Sequence, residues 1–195
     1  MYIIDPWGNK SDTLFVTIKP LYEMQFDKAK FMEYHLPSDS PTGYGWVMTN
    51  LWNGTIQGAG YHTALGNYVL PITFTFDMGI RGKLSRYTVW ERSDYAYSHG
   101  NPSKWALWGS NNPNDDAMPT DVSGLAPGQT VGSWTFIGYF EGPLSGDVAS
   151  VDAGFNYNIS TKVPPLRYIR FETLNTYSEA AYVHLMEITF WGTIQ

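Results

Sequence analysis

The sequence predicts an all-β protein, an antiparallel β-sandwich, and three observations carry that prediction. Charged residues make up only 15% of the 195 positions and aromatic residues 16%, with 19 glycines and 12 prolines; this is the profile of many short strands joined by turns. Near the C-terminus, two runs rich in aromatic and β-branched residues, 164–174 and 182–192, flank a polar turn at 175–181 and read as neighbouring antiparallel strands. In mid-chain, Phe74, Phe76 and Met78 alternate with Thr73, Thr75 and Asp77, the period of a central strand. Little helix is expected.

Taken in order, the chain opens with a turn at Asp5-Pro6-Trp7-Gly8-Asn9 and a strand-like stretch at 13–18. This resembles the final hairpin of an immunoglobulin-like or fibronectin-like module. Residues 1–21 therefore read as the remnant of a preceding β-module or linker, or else as part of the sandwich, which spans 22–195. The first five residues have the character of mid-domain sequence, so further domains are expected in the full-length chain. Residues 24–34 fit neither period cleanly and allow a first strand or a single helical turn. Prolines and glycines make 36–45 a loop. A strand follows at 84–92, then a loop at 93–103 dense in Tyr, His and Asn. Strands at 105–110 and 134–140 enclose a turn-rich segment at 111–129 that contains Asp115-Asp116.

In the C-terminal pair, Ile169 and Phe171 share one face while Tyr168, Arg170 and Glu172 share the other, as in a sheet with a single buried side. The second run breaks step, because Val183 and Leu185 have odd parity and Ile188 and Phe190 even. A bulge near Met186-Glu187 keeps all four inward and re-aims Glu187.

Composition also argues against several functions. The net charge is −6, from 12 basic and 18 acidic residues, without a Lys/Arg cluster; neither a nucleic acid backbone nor an anionic membrane is matched by such a surface. With no cysteine, disulfides, thiolate metal sites and thiol nucleophiles are ruled out. No apolar run approaches the roughly 18 residues of a membrane span, so no membrane insertion is expected, and no signal-peptide pattern opens the chain. Neither a nucleophile elbow, a His-Glu-x-x-His helix, a phosphate loop nor a dinucleotide fingerprint is present. The chain is predicted not to be an enzyme, although His35, His62, His99 and His184 remain available for acid or base work.

The closing pair Arg167-Tyr168-Ile169-Arg170-Phe171-Glu172 and Tyr182-Val183-His184-Leu185-Met186-Glu187-Ile188-Thr189-Phe190-Trp191-Gly192 resembles the last strands of discoidin, or coagulation factor 5/8 type C, domains, which include the family-32 carbohydrate-binding modules. Three further pieces agree in order: Asn50-Leu51-Trp52-Asn53-Gly54 with the family's Asp-Gly loop, 71–79 with its Asp-Leu-Gly strand end, and Trp105-Ala106-Leu107-Trp108-Gly109-Ser110 with its Gly-Ser strand end. The resemblance covers roughly residues 22–195. It implies a galactose-binding-like jelly roll whose ligand loops meet at one end of the sandwich.

Sugars present an apolar C–H face and directional hydroxyls, so a lectin site needs a ring to stack on the first and polar side chains for the second. Three loops supply that mixture: 52–63, 91–99 and 175–179. The candidate ligand-binding residues are Trp52, Tyr61, His62, Arg92, Tyr95, Tyr97, His99, Asn175 and Tyr177. Trp46 and Trp52 have a competing role in the core or in loop packing, and Arg92 as an ion-pair partner of Glu91. Many members of the family hold a structural Ca²⁺ near the Asp-Gly loop; the matching positions are Asn53, Thr55 and Glu187, with Thr63 nearby. Asn53 replaces the usual Asp and removes a negative charge. The competing role of Glu187 is to accept backbone hydrogen bonds inside the bulge.

The expectation is a non-catalytic carbohydrate-binding module with a glycan ligand, in a secreted or surface-anchored bacterial protein, outer-membrane-anchored or periplasmic. A second reading is a protein-interaction or spacer module packed against its parent chain, with the same aromatics scattered or buried in an interface. A third, a hydrolase or lyase domain, requires an acid/base pair across a cleft. The first two are distinguished by whether Trp52, Tyr61, Tyr97 and Tyr177 line one solvent-open pocket.

Overall fold

The computed structural model describes residues 2–11, 22–66 and 68–195. Its strands are β1 (Met24–Gln25), β2 (Met32–Tyr34), β3 (Tyr61–His62), β4 (Ile72–Trp90), β5 (Pro102–Ser110), β6 (Thr130–Val131), β7 (Trp134–Glu141), β8 (Phe155–Asn158), β9 (Leu166–Thr176), β10 (His184–Leu185) and β11 (Glu187–Ile194). One six-residue helix, α1 (Val148–Ala153), is N-capped by Asp147, so little helix was the right expectation.

The strands at 72–79 and 84–92, read separately from sequence, are one continuous 19-residue strand. Its first half pairs with β9 and β2 through residues 72–77, and its second half with β11 and β8 through residues 82–90. The β9 register shifts between Asp77 and Gly82, and Gly79 sits at φ +65°, a conformation that glycine adopts without steric cost. Strand β4 thus bends out of one layer, β2-β4-β9-β5-β7-β6, into the other, β1-β11-β4-β8. Two antiparallel layers joined by shared strands are the sandwich that the composition foretold.

The two closing runs are not neighbours, as the sequence had suggested, because β4 lies between β9 and β11. What brings them together is the core rather than a ladder. Phe74 stacks on Phe171 at 5.1 Å, Trp105 on Phe171 at 5.8 Å, and Phe76 reaches across to Phe190 at 6.1 Å. The layers are also joined by a polar contact, in which the indole N–H of Trp105 donates to the Tyr87 hydroxyl at 2.9 Å. Each such ring, fully buried, contributes about 1.5–3 kcal/mol.

The expectation of a single buried face also fails. Arg170 and Glu172 are as buried as Ile169 and Phe171, because a second apolar cluster, Leu36, Trp108, Val122, Trp134 and Phe136, lies over the outer face. Arg170 faces Asp39 at 3.8 Å, and Glu172 accepts from the Trp108 indole at 2.7 Å. The long connection at 111–129 supplies part of that cover through Val122, and the loop after β2 adds Leu36. The change of step is present, but a change of partner rather than a bulge produces it: β10 pairs with β3 up to Leu185, Met186 N–H donates to the Trp90 carbonyl at 2.8 Å, β11 pairs with β4 from Glu187 on, and Val183, Leu185, Ile188 and Phe190 are all buried.

Residues 24–34 combine both allowed readings, with β1, a 3₁₀ turn at Lys28–Lys30 and β2. The predicted turn at Asp5–Asn9 exists: Asp5 accepts the N–H groups of Trp7 and Asn9 at 3.0 and 2.9 Å. The strand-like stretch at 13–18 lies outside the described residues. At one end of the sandwich β3 and β10 form a separate two-stranded ribbon that pairs His62 with His184.

Candidate functional site

That ribbon is the floor of a pocket of about 400 Å³ lined by Tyr44, Trp46, His62, Leu65, Arg92, Tyr95, His99, Tyr182 and His184. Three loops meet there, held by identifiable devices. Asn101, fully buried, accepts the Arg92 N–H at 3.0 Å and donates to the carbonyls of Arg92 and Tyr95 at 3.0 and 2.9 Å, which shapes the 92–101 loop. The Ser178 hydroxyl accepts the His99 N–H at 2.7 Å and ties that loop to the turn after β9. Gly100 is required where it is, because a Cβ would lie 2.6 Å from the Tyr182 ring. Tyr44 and His99 hold positive φ, 62° and 53°, a conformation that non-glycine residues rarely keep except at functional or turn positions.

The rings form a partial cage. His62 stacks on Tyr182 at 5.4 Å with planes 7° apart, and meets Tyr44 and Trp46 edge-on at 5.1 and 5.9 Å. The Arg92 guanidinium lies 4.8 Å from the Trp46 ring and 4.5 Å from Tyr95. Its Nε and Nη2 donate to Asp94 Oδ2 at 3.2 and 2.9 Å; it does not pair with Glu91. His62 Nδ1 lies 2.6 Å from the Thr63 carbonyl, which can only accept, so the neutral ring carries its proton on Nδ1 and leaves Nε2 as a bare acceptor. Burial lowers the His62 pKa and nearby Arg92 adds to the effect. His184 is pushed down to about 3 by burial, with His62 and Arg92 as further causes. Neither His184 nitrogen has a hydrogen-bond partner among the described residues. The pocket therefore offers stacking surfaces, guanidinium donors and imidazole acceptors around one opening.

Of the nine residues expected from sequence to bind ligand, His62, Arg92, Tyr95 and His99 line this pocket; the other five do not. Trp52 packs in the core at 5.5 Å from Phe76, since the 3₁₀ turn Met48–Trp52 buries its apolar side. Tyr61 is wholly buried at 4.5 Å from Phe74, because β3 alternates and sends His62 outward instead. Tyr97 and Tyr177 pack on each other at 5.7 Å, and the Tyr177 hydroxyl donates to the Pro143 carbonyl at 2.7 Å; they belong to a neighbouring patch. Asn175 accepts the Thr176 N–H at 3.0 Å and pairs with Lys104 in the sheet. Tyr44, Leu65, Tyr182 and His184 were missed. Tyr44 lies between two glycines, a signal for exposure that was available. Trp46, weighed as loop packing, is half-buried at the rim.

Burial without a partner makes Tyr61 a test of this assignment. Its hydroxyl has no hydrogen-bond partner among the described residues, so Tyr61→Phe should raise stability by about 1 kcal/mol. Ligand affinity should stay unchanged, as read by thermal unfolding and titration; lost affinity would return Tyr61 to the site.

A larger cleft, about 720 Å³, runs beside β7 and is lined by Val122, Leu125, Ile137, Phe140 and Leu174 among others. None of the nine sequence-nominated binding residues lies in it. Greater volume does not outweigh the convergence of rings and hydrogen-bonding groups in the smaller pocket.

At the positions proposed for Ca²⁺ the side-chain oxygens are engaged within the protein. Glu187 is buried, with Oε1 2.5 Å from Lys28 Nζ and Oε2 accepting the Gly54 N–H at 2.8 Å. Asn53 Oδ1 accepts the Thr55 N–H at 2.8 Å, and the Thr55 hydroxyl donates to Gln57 at 3.1 Å. Thr63 is buried and accepts the Val183 N–H at 2.9 Å. Calcium requires six to eight oxygen ligands, and among the described residues no cluster of three or more His, Asp or Glu could hold an ion.

These features agree with what the chain resembles. The model of a family described as a domain of unknown function, DUF5000, matches residues 49–192, and the chain belongs to that family. Among solved structures it is similar to a SusE-like protein, with 30% identity, a TM-score of 0.72, and coverage of 87% of this chain and 100% of that one. It also resembles a family-32 carbohydrate-binding module from a family-31 glycoside hydrolase of Clostridium perfringens, at 15% identity and TM-score 0.63, covering 87% and 95% of the two chains. A family-32 module of C. perfringens NanJ, solved with galactose, matches at 13% identity and TM-score 0.60 over 87% and 99%. No curated protein matches the sequence. The fold is thus the discoidin-like, galactose-binding-like jelly roll. No helix among the described residues is long and apolar enough to cross a membrane.

Proposed function

We propose that this chain is a non-catalytic carbohydrate-binding module of a secreted or surface-located glycan-utilisation protein, and that it holds a sugar residue in the pocket over the β3–β10 ribbon. The observation that carries the reading is the joint presentation of Arg92 and the Nε2 acceptor of His62 among Tyr44, Trp46, Tyr95 and Tyr182. A sugar hydroxyl both donates and accepts, so one hydroxyl can accept from Arg92 while donating to His62, with the C–H face of the ring on an aromatic plane. The NanJ module's galactose and the SusE-like relative support this class of ligand. A pocket of this volume suits one or two sugar units.

Isothermal titration against galactose, N-acetylglucosamine and short oligosaccharides tests the proposal. Saturable binding by the folded protein is the expected result, and silence at millimolar ligand across the panel overturns it. The interaction or spacer reading keeps one observation in its favour: Trp52, Tyr61, Tyr97 and Tyr177 do scatter. A different set of rings converges, however, and that set is open to solvent, with Tyr44 65% exposed.

A further inference from the structure

We propose that the ammonium of Lys28 is the resident cation of the 53–60 loop, standing where a divalent ion would have to sit against Glu187. A carboxylate that is 2% exposed needs a counter-charge or N–H donors to remain ionised. Glu187 has both, and they come from separate parts of the chain. Lys28 is brought in by the 3₁₀ turn Lys28–Lys30, whose first N–H groups are capped by Asp27, with Ala29 N–H donating to Oδ1 at 3.1 Å. That turn is seated against β4 because Gly79 leaves room for the Lys30 carbonyl, which any side chain there would strike. From the other side, Gly54 at φ +83° turns its N–H onto Oε2. The switch of partner at Met186, from β3 to β4, aims Glu187 into this gap.

Three segments therefore meet on one carboxylate: the turn before β2, the loop before β3 and the start of β11. A metal would have to displace the ammonium, and the side-chain oxygens of Asn53 and Thr55 already serve the hydrogen bonds of their own loop. Burial raises the Glu187 carboxyl above its ordinary range while Lys28 pulls it back, as befits a pair shielded from water. The loop runs on into β3 and Glu187 follows β10, so the pair steadies both strands that carry His62 and His184.

The test is thermal unfolding of the intact protein with millimolar calcium chloride and, separately, with EDTA. Its melting temperature should be the same in both, within about 1 °C. Lys28→Met should lower it by about 5–10 °C irrespective of calcium, since it strands a buried carboxylate, and adding Glu187→Gln should recover part of that loss. A melting temperature that rises with calcium and falls with EDTA in the unaltered protein overturns the assignment, as does a Lys28→Met variant that melts unchanged. These readouts need no glycan, so they stand or fall separately from the proposed ligand.

Discussion

Arg92→Ala should weaken glycan binding at least thirtyfold, or about 2 kcal/mol, while leaving the fold intact. The guanidinium is the charged donor of the pocket and lies against the rings of Trp46 and Tyr95, so truncation removes donors and unseats two stacking surfaces together. Its structural contribution is small by comparison. Its ion-pair partner, Asp94, is 64% exposed at the side chain, and exposed pairs contribute no more than about 1 kcal/mol. The loop is shaped instead by Asn101, which binds the Arg92 backbone. Titration of the variant beside the unaltered protein, with matched unfolding curves, decides the matter. Undiminished affinity in a folded Arg92→Ala protein would move the ligand to another surface.

Glu91→Gln should raise stability by about 2 kcal/mol at pH 8, a shift of roughly 4–8 °C in melting temperature, and by much less at pH 4.5. Glu91 is 2% exposed and neither carboxylate oxygen has a hydrogen-bond partner among the described residues. Burial therefore pushes its pKa well above the ordinary range. For an acid raised in the folded state, the stabilising protonated form is complete below the unfolded value of about 4.5 and is lost as pH climbs toward the folded value. His184 acts from the other side. Its folded pKa, about 3, lies below its unfolded value of roughly 6.5, so acidification through that interval favours the unfolded chain, at up to about 1.4 kcal/mol per pH unit. Maximum stability should fall between roughly pH 4.5 and 6.5, and Glu91→Gln should remove the fall above that interval and move the maximum to higher pH. A variant whose stability runs parallel to the parent at every pH would mean that Glu91 titrates alike in the folded and unfolded chains, against the burial argument.

Much of the fold was legible because strand periodicity is local. The alternation of Phe74, Phe76 and Met78, the parity break at Met186 and the turn at Asp5 each depend on residues adjacent in the chain, and each stands in the structure. Pairing was less legible. Strands β9 and β11 looked like partners because they follow one another, yet a 19-residue β4 threads between them, and nothing local in either run announces a strand that serves two layers. The outer face of β9 misled for a related reason: Arg170 and Glu172 have the polarity of solvent-facing residues, and a cover assembled from separate parts of the chain, with Leu36, Trp108, Val122 and Trp134 among its members, buries them. The loops around the pocket were legible as segments, but which of their residues face it was not. Composition nominated Trp52, Tyr61, Tyr97 and Tyr177, whereas burial spends those rings on packing and leaves Tyr44, Trp46 and Tyr182 at the opening.

By itself, then, the amino-acid sequence determined the all-β class and where most strands lie, since these follow from short-range alternation and turn chemistry, while the jelly-roll resemblance rested on the motifs of the closing strands. Only the tertiary structure decided which side chains face the pocket, that Glu91 is buried without a hydrogen-bond partner among the described residues, and that Lys28 meets Glu187 across 159 positions of chain. Such contacts are set by how two twisted layers close on each other, and that closure brings together residues whose separation along the chain carries no trace of their encounter.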